Sequence, residues 1–147
     1  MNKERTLKAL NEIIEDHHLR MRKIQTIIKG KKINNNSLKL SKTCVFTAWL
    51  RDEEKHLEDI LGSLFYGNLD KLHLEWHKEY LKIYNIFFKN EERGLFSKLL
   101  NNSEVNDRDL DKAKIYYFDL EKTSTELLRA LILSQNRVEA LSLTKFH

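Results

Sequence analysis

The sequence predicts an all-α protein, an antiparallel four-helix bundle in which a short helix carries the single cysteine. The 147 residues include no proline and only four glycines, so long helices are favoured and tight sheet turns are disfavoured. Apolar side chains recur in alternating steps of three and four residues, the spacing of a helix face that packs on its neighbours. At this length we expect one domain, spanning residues 1–147.

The first long helix is predicted to end at Gly30, where glycine favours a helix stop. Its inward face is predicted to comprise Leu7, Leu10, Ile14, His17, Met21, Ile24 and Ile28. The polar stretch from Lys31 to Lys39 is predicted to be a loop. Ser41 is a candidate N-cap for a short helix that ends at about Asp52 and presents Cys44 partly inward.

A polar, helical connector then leads to a second long helix from about Asn68 to Asn90. Its predicted inward face comprises His73, His77, Tyr80, Tyr84 and Phe87. A short apolar turn at 95–100 and a polar break at 101–103 separate it from the last long helix, which starts near Asn106. The inward face of that helix is predicted to comprise Leu110, Ala113, Tyr117, Leu120, Ser124, Leu127, Leu131, Ser134, Val138 and Leu141.

Charge and cysteine content restrict the function classes. The net charge is +4, and both signs are interleaved along the chain, which indicates solvated helix faces and no nucleic-acid partner. One cysteine excludes an internal disulfide framework and fits a reducing compartment. Without a secretory segment at Met1–Arg5 or an apolar run of membrane-spanning length, we expect a cytoplasmic protein with no membrane partner.

Four residues have the chemistry of a metal site. His73 and His77 are four residues apart, so both imidazoles lie on one face of a helix. His17 continues the inward series of the first helix, whereas His18 is rotated by about 100° toward solvent. Buried imidazoles need partners for their nitrogens, and one shared cation would satisfy all three. With Cys44 they provide the four N/S ligands of a closed tetrahedral zinc site.

These stretches resemble the bacterial chemoreceptor zinc-binding domain family, from about Leu7 to Leu133. That family's pattern is a histidine, then Cys-x-hydrophobic-Gly-x-aromatic, then His-x-x-x-His. The matching segments are Asp16-His17, Cys44-Val45-Phe46-Thr47-Ala48-Trp49 and His73-Leu74-Glu75-Trp76-His77. Thr47 replaces the family's usual glycine. The hydrophobic residue expected three places after the first histidine is Arg20 if His17 is the ligand and Met21 if it is His18, so His18 stays an alternative.

The resemblance implies a zinc ion held by three histidines and one cysteine inside a helical bundle that forms a homodimer. Such domains occur in chemoreceptors and diguanylate cyclases, where they sense zinc or oxidants such as hypochlorous acid, and they also occur alone. The present chain would be a free-standing module or a fragment that signals through a separate chemoreceptor or cyclase. Tyr116, Phe118 and Trp76 are candidates for a dimer interface, and local packing of these aromatic side chains is an equally compatible alternative.

The proposed ligand chemistry favours sensing over catalysis, and we expect no enzymatic activity. A closed four-ligand site leaves no position for a catalytic water. Cys44 is the ligand that oxidants attack, because its thiolate is nucleophilic and its oxidation to a sulfenate is reversible. Asp16 is a candidate for orienting a ligand histidine.

Two other interpretations share the helical fold. A hemerythrin-like or di-iron carboxylate bundle also uses histidines on helices, but it needs several inward carboxylates. Asp70 and His73 have the spacing of a Glu-x-x-His pair, with aspartate in place of glutamate. The first helix has no such pair, because Ile14 stands three residues before His17, where a carboxylate would be needed. The remaining interpretation is a metal-free helical adaptor whose histidines are incidental.

Overall fold

The described part of the chain is all-helical. The computed structural model describes residues 2–29, 44–88 and 106–146, and these ranges contain no β-strand. Five α-helices follow one another: α1 (Lys3–Ile28), α2 (Val45–Asp52), α3 (Glu54–Leu61), α4 (Ser63–Phe88) and α5 (Asp107–Ala140). A short 3-10 turn, Leu143–Lys145, comes after α5. The predicted all-α class is therefore confirmed.

Asparagine residues cap the N-termini of α1 and α5. The Asn2 side chain accepts a hydrogen bond from the Arg5 backbone N–H at 2.8 Å, and Asn106 does the same for Asp109 at 2.8 Å. Each cap satisfies a backbone donor that the first helical turn leaves without a partner. The predicted start of the last helix near Asn106 is confirmed.

The segment between α1 and α4 differs in detail from the prediction. Cys44 is the N-cap of α2, so it lies at the start of the short helix and not within it. The connector forms α3 and ends at Gly62, whose φ of 91° lies in the left-handed region that favours glycine. This turn lets α4 start at Ser63, earlier than the predicted Asn68. The features predicted at Gly30, Lys31–Lys39, Ser41 and 95–103 lie outside the described residues.

Contacts along α5 fix the directions of the long helices. Lys3 Nζ, at the start of α1, donates to the carbonyl oxygens of Glu139 and Leu141 at 2.7 and 2.9 Å, at the end of α5. The Arg137 guanidinium lies 4.1 Å from the Phe65 ring centroid, near the start of α4. Near the other end, Lys82 lies 5.4 Å from the Tyr116 ring centroid. Consequently α1 and α4 both run antiparallel to α5.

The predicted inward faces supply about half of the buried side chains of the core. Leu10, His17, Ile24 and Ile28 of α1 are buried, and so are Ala113, Leu120, Ser124, Leu127, Leu131, Ser134 and Val138 of α5. Trp76 corrects one expectation, because its side chain is only 2% exposed and therefore belongs to the core and not to a dimer surface. Within the described ranges, no helix combines the length and apolarity needed to cross a membrane.

Candidate metal centre

Three of the four predicted ligands lie together where α2 meets α4. Cys44, His73 and His77 each offer a ligand atom, and these atoms lie within 4.8 Å of one another. Cys44 Sγ and His73 Nε2 lie 3.4 Å apart, a hydrogen-bonding distance for sulfur. We refer to Cys44, His73 and His77 as the ligand cluster.

Local structure explains how the ligand cluster forms. The helical repeat of α4 places His73 and His77 one turn apart, with their ring centroids separated by 4.5 Å. The Phe46 ring, two residues after the cysteine, lies 4.3 Å from the His73 ring centroid. The Phe46 ring therefore packs against the His73 ring beside the sulfur, with the two ring planes tilted by 45°.

The other end of α2 is also attached to α4. The Tyr66 hydroxyl donates to the Leu50 carbonyl oxygen at 2.9 Å. Arg51 Nη2 contacts both carboxylate oxygens of Asp70, at 3.2 and 3.4 Å. This ion pair also bears on the di-iron interpretation, because the carboxylate that approached the Glu-x-x-His spacing is already paired with an arginine.

The ligand cluster fits a small cation. The buried Nε2 of His77 has no hydrogen-bond partner among the described residues, although buried imidazole nitrogens are ordinarily satisfied. In tetrahedral zinc, bonds of about 2.0–2.3 Å place neighbouring ligand atoms about 3.3–3.8 Å apart. Atoms within 4.8 Å of one another therefore need a contraction of only about 1 Å to reach that geometry.

Protonation in the metal-free protein also favours metal binding. Burial raises the pKa of the Cys44 thiol, but hydrogen bonding with His73 and with Thr47 outweighs it and lowers the pKa to about 7. Burial, followed by the charge of Arg20, lowers the pKa of His77. A substantial thiolate fraction and a neutral imidazole at neutral pH are the forms that bind metals.

His17 lies beside the ligand cluster but outside the 4.8 Å group. It lines a cavity of about 20 Å³ together with Cys44 and His73, and its ring centroid lies 4.9 Å from that of Trp76. Its Nε2 pairs with the hydroxyl of Ser124 on α5 at 2.5 Å. The structure thus places His17 at the same cavity as Cys44 and His73, with its Nε2 paired to a serine.

The charge state of His17 follows from its position. Burial lowers its pKa to about 4, and the nearby cationic forms of His18, His73, Arg20 and His77 act in the same direction. The ring is therefore neutral at pH 7 and would not need to lose a proton to bind a metal.

The neighbours of His17 differ from it. His18 is exposed, as its rotation on the helix predicts. Asp16 accepts a hydrogen bond from Arg20 Nε at 2.9 Å, so its carboxylate is directed along α1 to that arginine. Arg20 itself has a side chain only 12% exposed and lines the cavity with His17.

Two residues near the centre were not predicted to have a role there. The sequence predicts that Ser124 faces inward, and a buried hydroxyl on an apolar face needs a hydrogen-bond partner. That requirement could have indicated a polar contact of Ser124 inside the bundle. Arg20 enters the sequence analysis only as a departure from the family pattern. Its position one turn after His17 places it on the same side of α1, which indicates that it can line the same cavity.

The cavity lined by residues of α1, α4 and α5 and by the start of α2 is therefore the candidate metal centre, with three assembled candidate ligands and one adjacent histidine. Comparisons of the chain with protein-family models, with curated proteins and with solved structures found no match.

Proposed function

We propose that this protein is a zinc-binding sensory module of bacterial signal transduction. The observation that supports it most strongly is the ligand cluster, in which the ligand atoms of a thiol and two imidazoles lie within 4.8 Å of one another and the buried Nε2 of His77 has no partner among the described residues. A thiolate with imidazoles suits zinc, whereas calcium and magnesium prefer oxygen ligands. His17 is the proposed fourth ligand, and four protein ligands would close the site to a catalytic water.

The resemblance to chemoreceptor zinc-binding domains supports the biological role. The three sequence segments that carry it contain the same residues that line the cavity or form the ligand cluster. We propose a single-domain, antiparallel four-helix bundle in the cytoplasm that reports to a separate chemoreceptor or diguanylate cyclase. Chemotaxis or cyclic-di-GMP control would be the output.

We also propose that the chain forms a homodimer. Ile115 and Phe118 on α5 are 64% and 74% exposed, and they supply apolar surface for a partner. Light scattering should give twice the chain mass of 17.6 kDa at micromolar concentration, and the mass of one chain would contradict the dimer.

Sensing would use the chemistry of Cys44. Hypochlorous acid transfers oxygen to the thiolate, which becomes a sulfenate while chloride leaves, and a thiol reductant can restore the thiolate. Zinc bound through the thiolate should then loosen, since the sulfur is the only charged ligand in the proposed set.

The test combines zinc content with oxidant response. Protein purified without chelators should contain one zinc per chain and be colourless, whereas an oxygenated di-iron centre would absorb visible light. A low dose of hypochlorous acid should release zinc to a chromogenic chelator, and a thiol should reverse the release. Cys44→Ser should bind zinc more weakly and not respond. Metal-free native protein would contradict the zinc site, and equal release from both proteins would contradict the Cys44 sensor.

A further inference from the structure

The hydrogen bond between His17 and Ser124 joins two helices at the edge of the candidate centre. His17 is 6% exposed and Ser124 is 5% exposed, so water does not compete effectively for either group. His17 Nε2 and Ser124 Oγ lie 2.5 Å apart, and the two residues belong to α1 and α5. A buried bond of this kind connects the position of the His17 ring to the packing of α5.

Resting on the zinc site proposed above, we propose that Ser124 is a competing partner of His17. In the metal-free protein, Ser124 holds the His17 imidazole apart from the ligand cluster. Zinc bound by Cys44, His73 and His77 then recruits His17, which gives up Ser124. The same step changes a contact between α1 and α5, so metal occupancy alters how these two helices pack.

The location of His17 supports this exchange. Its ring lines the same cavity as Cys44 and His73. It nevertheless lies outside the 4.8 Å group that the atoms of Cys44, His73 and His77 form. His17 is therefore a neighbour of the ligand cluster whose Nε2 is engaged by Ser124.

Ser134 shows how Ser124 can release His17 without leaving a buried hydroxyl unpaired. Ser134 lies on the same face of α5, is completely buried, and donates to the carbonyl oxygen of Ala130, four residues earlier, at 2.8 Å. Serine in a helix commonly makes this bond. Ser124 has the equivalent acceptor in the carbonyl of Leu120, which already accepts a backbone N–H of the helix. The hydroxyl therefore stays paired after the exchange, but in a weaker bond than the one it makes with His17.

Competitive zinc titration of the full chain tests the proposal. Ser124→Ala should bind zinc more tightly than the wild type, by roughly fivefold, the size expected when one net hydrogen bond no longer opposes binding. Ser134→Ala is the matched control, because it removes a buried hydroxyl from the same face without contacting His17. Its affinity should equal that of the wild type. Thermal unfolding followed by circular dichroism confirms that each variant folds.

A variant that lacks both side chains tests whether the effect of Ser124 on zinc affinity acts through His17. In a His17→Ala background, the additional Ser124→Ala change should have no effect on zinc affinity, because the competing partner is already absent. A gain that persists in this background would overturn the proposal. Unchanged or weaker zinc binding by Ser124→Ala would also overturn it, and weaker binding would identify Ser124 as a residue that supports the ligand.

Imidazole ¹⁵N spectra separate this proposal from the zinc site itself. On addition of zinc, the signals of His73, His77 and His17 should all move, and those of His17 should move toward their metal-bound positions at lower zinc in Ser124→Ala. If the signals of His73 and His77 move while those of His17 do not, the Ser124 proposal is wrong and the zinc site remains. No change in any histidine signal would overturn both.

Discussion

The two sides of the candidate centre are prepared for a metal to different degrees. On the α4 side, Cys44, His73 and His77 already lie within 4.8 Å of one another, and the Nε2 of His77 has no protein partner among the described residues. On the α1 side, His17 is also buried, but its Nε2 pairs with Ser124. The α4 side brings three candidate ligands together, and the α1 side holds a candidate ligand that already has a protein partner.

The difference follows from how each side is built. The spacing of His73 and His77 comes from the repeat of a single helix, and Cys44 is positioned at the start of a short helix held on α4. His17 depends on the packing of α1 against α5, where a buried hydroxyl competes for its nitrogen. We therefore expect the ligand cluster, which local structure holds, to contribute most of the zinc affinity. His17, which tertiary packing holds, should contribute less.

The largest expected effect is removal of a ligand from the cluster. Cys44→Ala or His77→Ala should each weaken zinc binding by roughly 100-fold or more, because four ligands share an apparent binding free energy of about 10–16 kcal/mol. His56→Ala is the control, since His56 is also a partly buried histidine but packs on Phe146, with ring centroids 5.7 Å apart. Competition with a chelator of known affinity measures each change, and equal effects of all three variants would contradict the assignment.

The next expected effect is that the free energy of unfolding depends on pH through the titration of His17. In chelator-treated protein, the pKa of His17 is lowered from 6.5 to about 4, so the unfolded chain takes up a proton in this interval and the folded chain does not. Stability should therefore fall by about 3 kcal/mol as the pH decreases from above 6.5 to 4.

Urea unfolding at pH 7 and at pH 4 measures this effect. His17→Gln, which retains a polar group near Ser124, should lose the His17 contribution of about 3 kcal/mol and keep the contribution of His77, whose pKa burial also lowers. His18→Gln should keep most of the dependence, because burial and not the charge of His18 is the main cause of the lowered His17 pKa. If His17→Gln retains the full dependence, the titrating group lies elsewhere.

The smallest expected effect compares adjacent histidines. His17→Ala should weaken zinc binding by roughly 20-fold, less than the loss of a cluster ligand, because the wild type must first break the Ser124 bond. His18→Ala should bind zinc like the wild type. Isothermal titration measures both affinities, and the opposite order would assign the first ligand to His18.

The sequence predicts best the features that depend on a single helix, such as which side chains face inward and where the helix starts. The steps of three and four placed His17, Ser124 and Ser134 inward, and Asn106 marked the start of α5. Trp76 was wrongly considered for a dimer surface, because the buried face of α4 is wider than the single series through His73 and Tyr80. Tertiary proximity decided the rest, since no spacing within one helix shows that His17 and Ser124 meet across α1 and α5.

The attachment of α2 has a geometric consequence for closing the centre. The helix is fixed to α4 near its end by Leu50 and Arg51, whereas Cys44 stands at its opposite end. At a rise of 1.5 Å per residue, the span from Cys44 to Glu53 is about 13.5 Å, so a rotation of about 5° at Glu53 would displace the sulfur by about 1.2 Å. That arc is comparable to the contraction required of the ligand cluster. A small tilt of one short helix, with the long helices unmoved, is therefore sufficient to bring Cys44 to a metal.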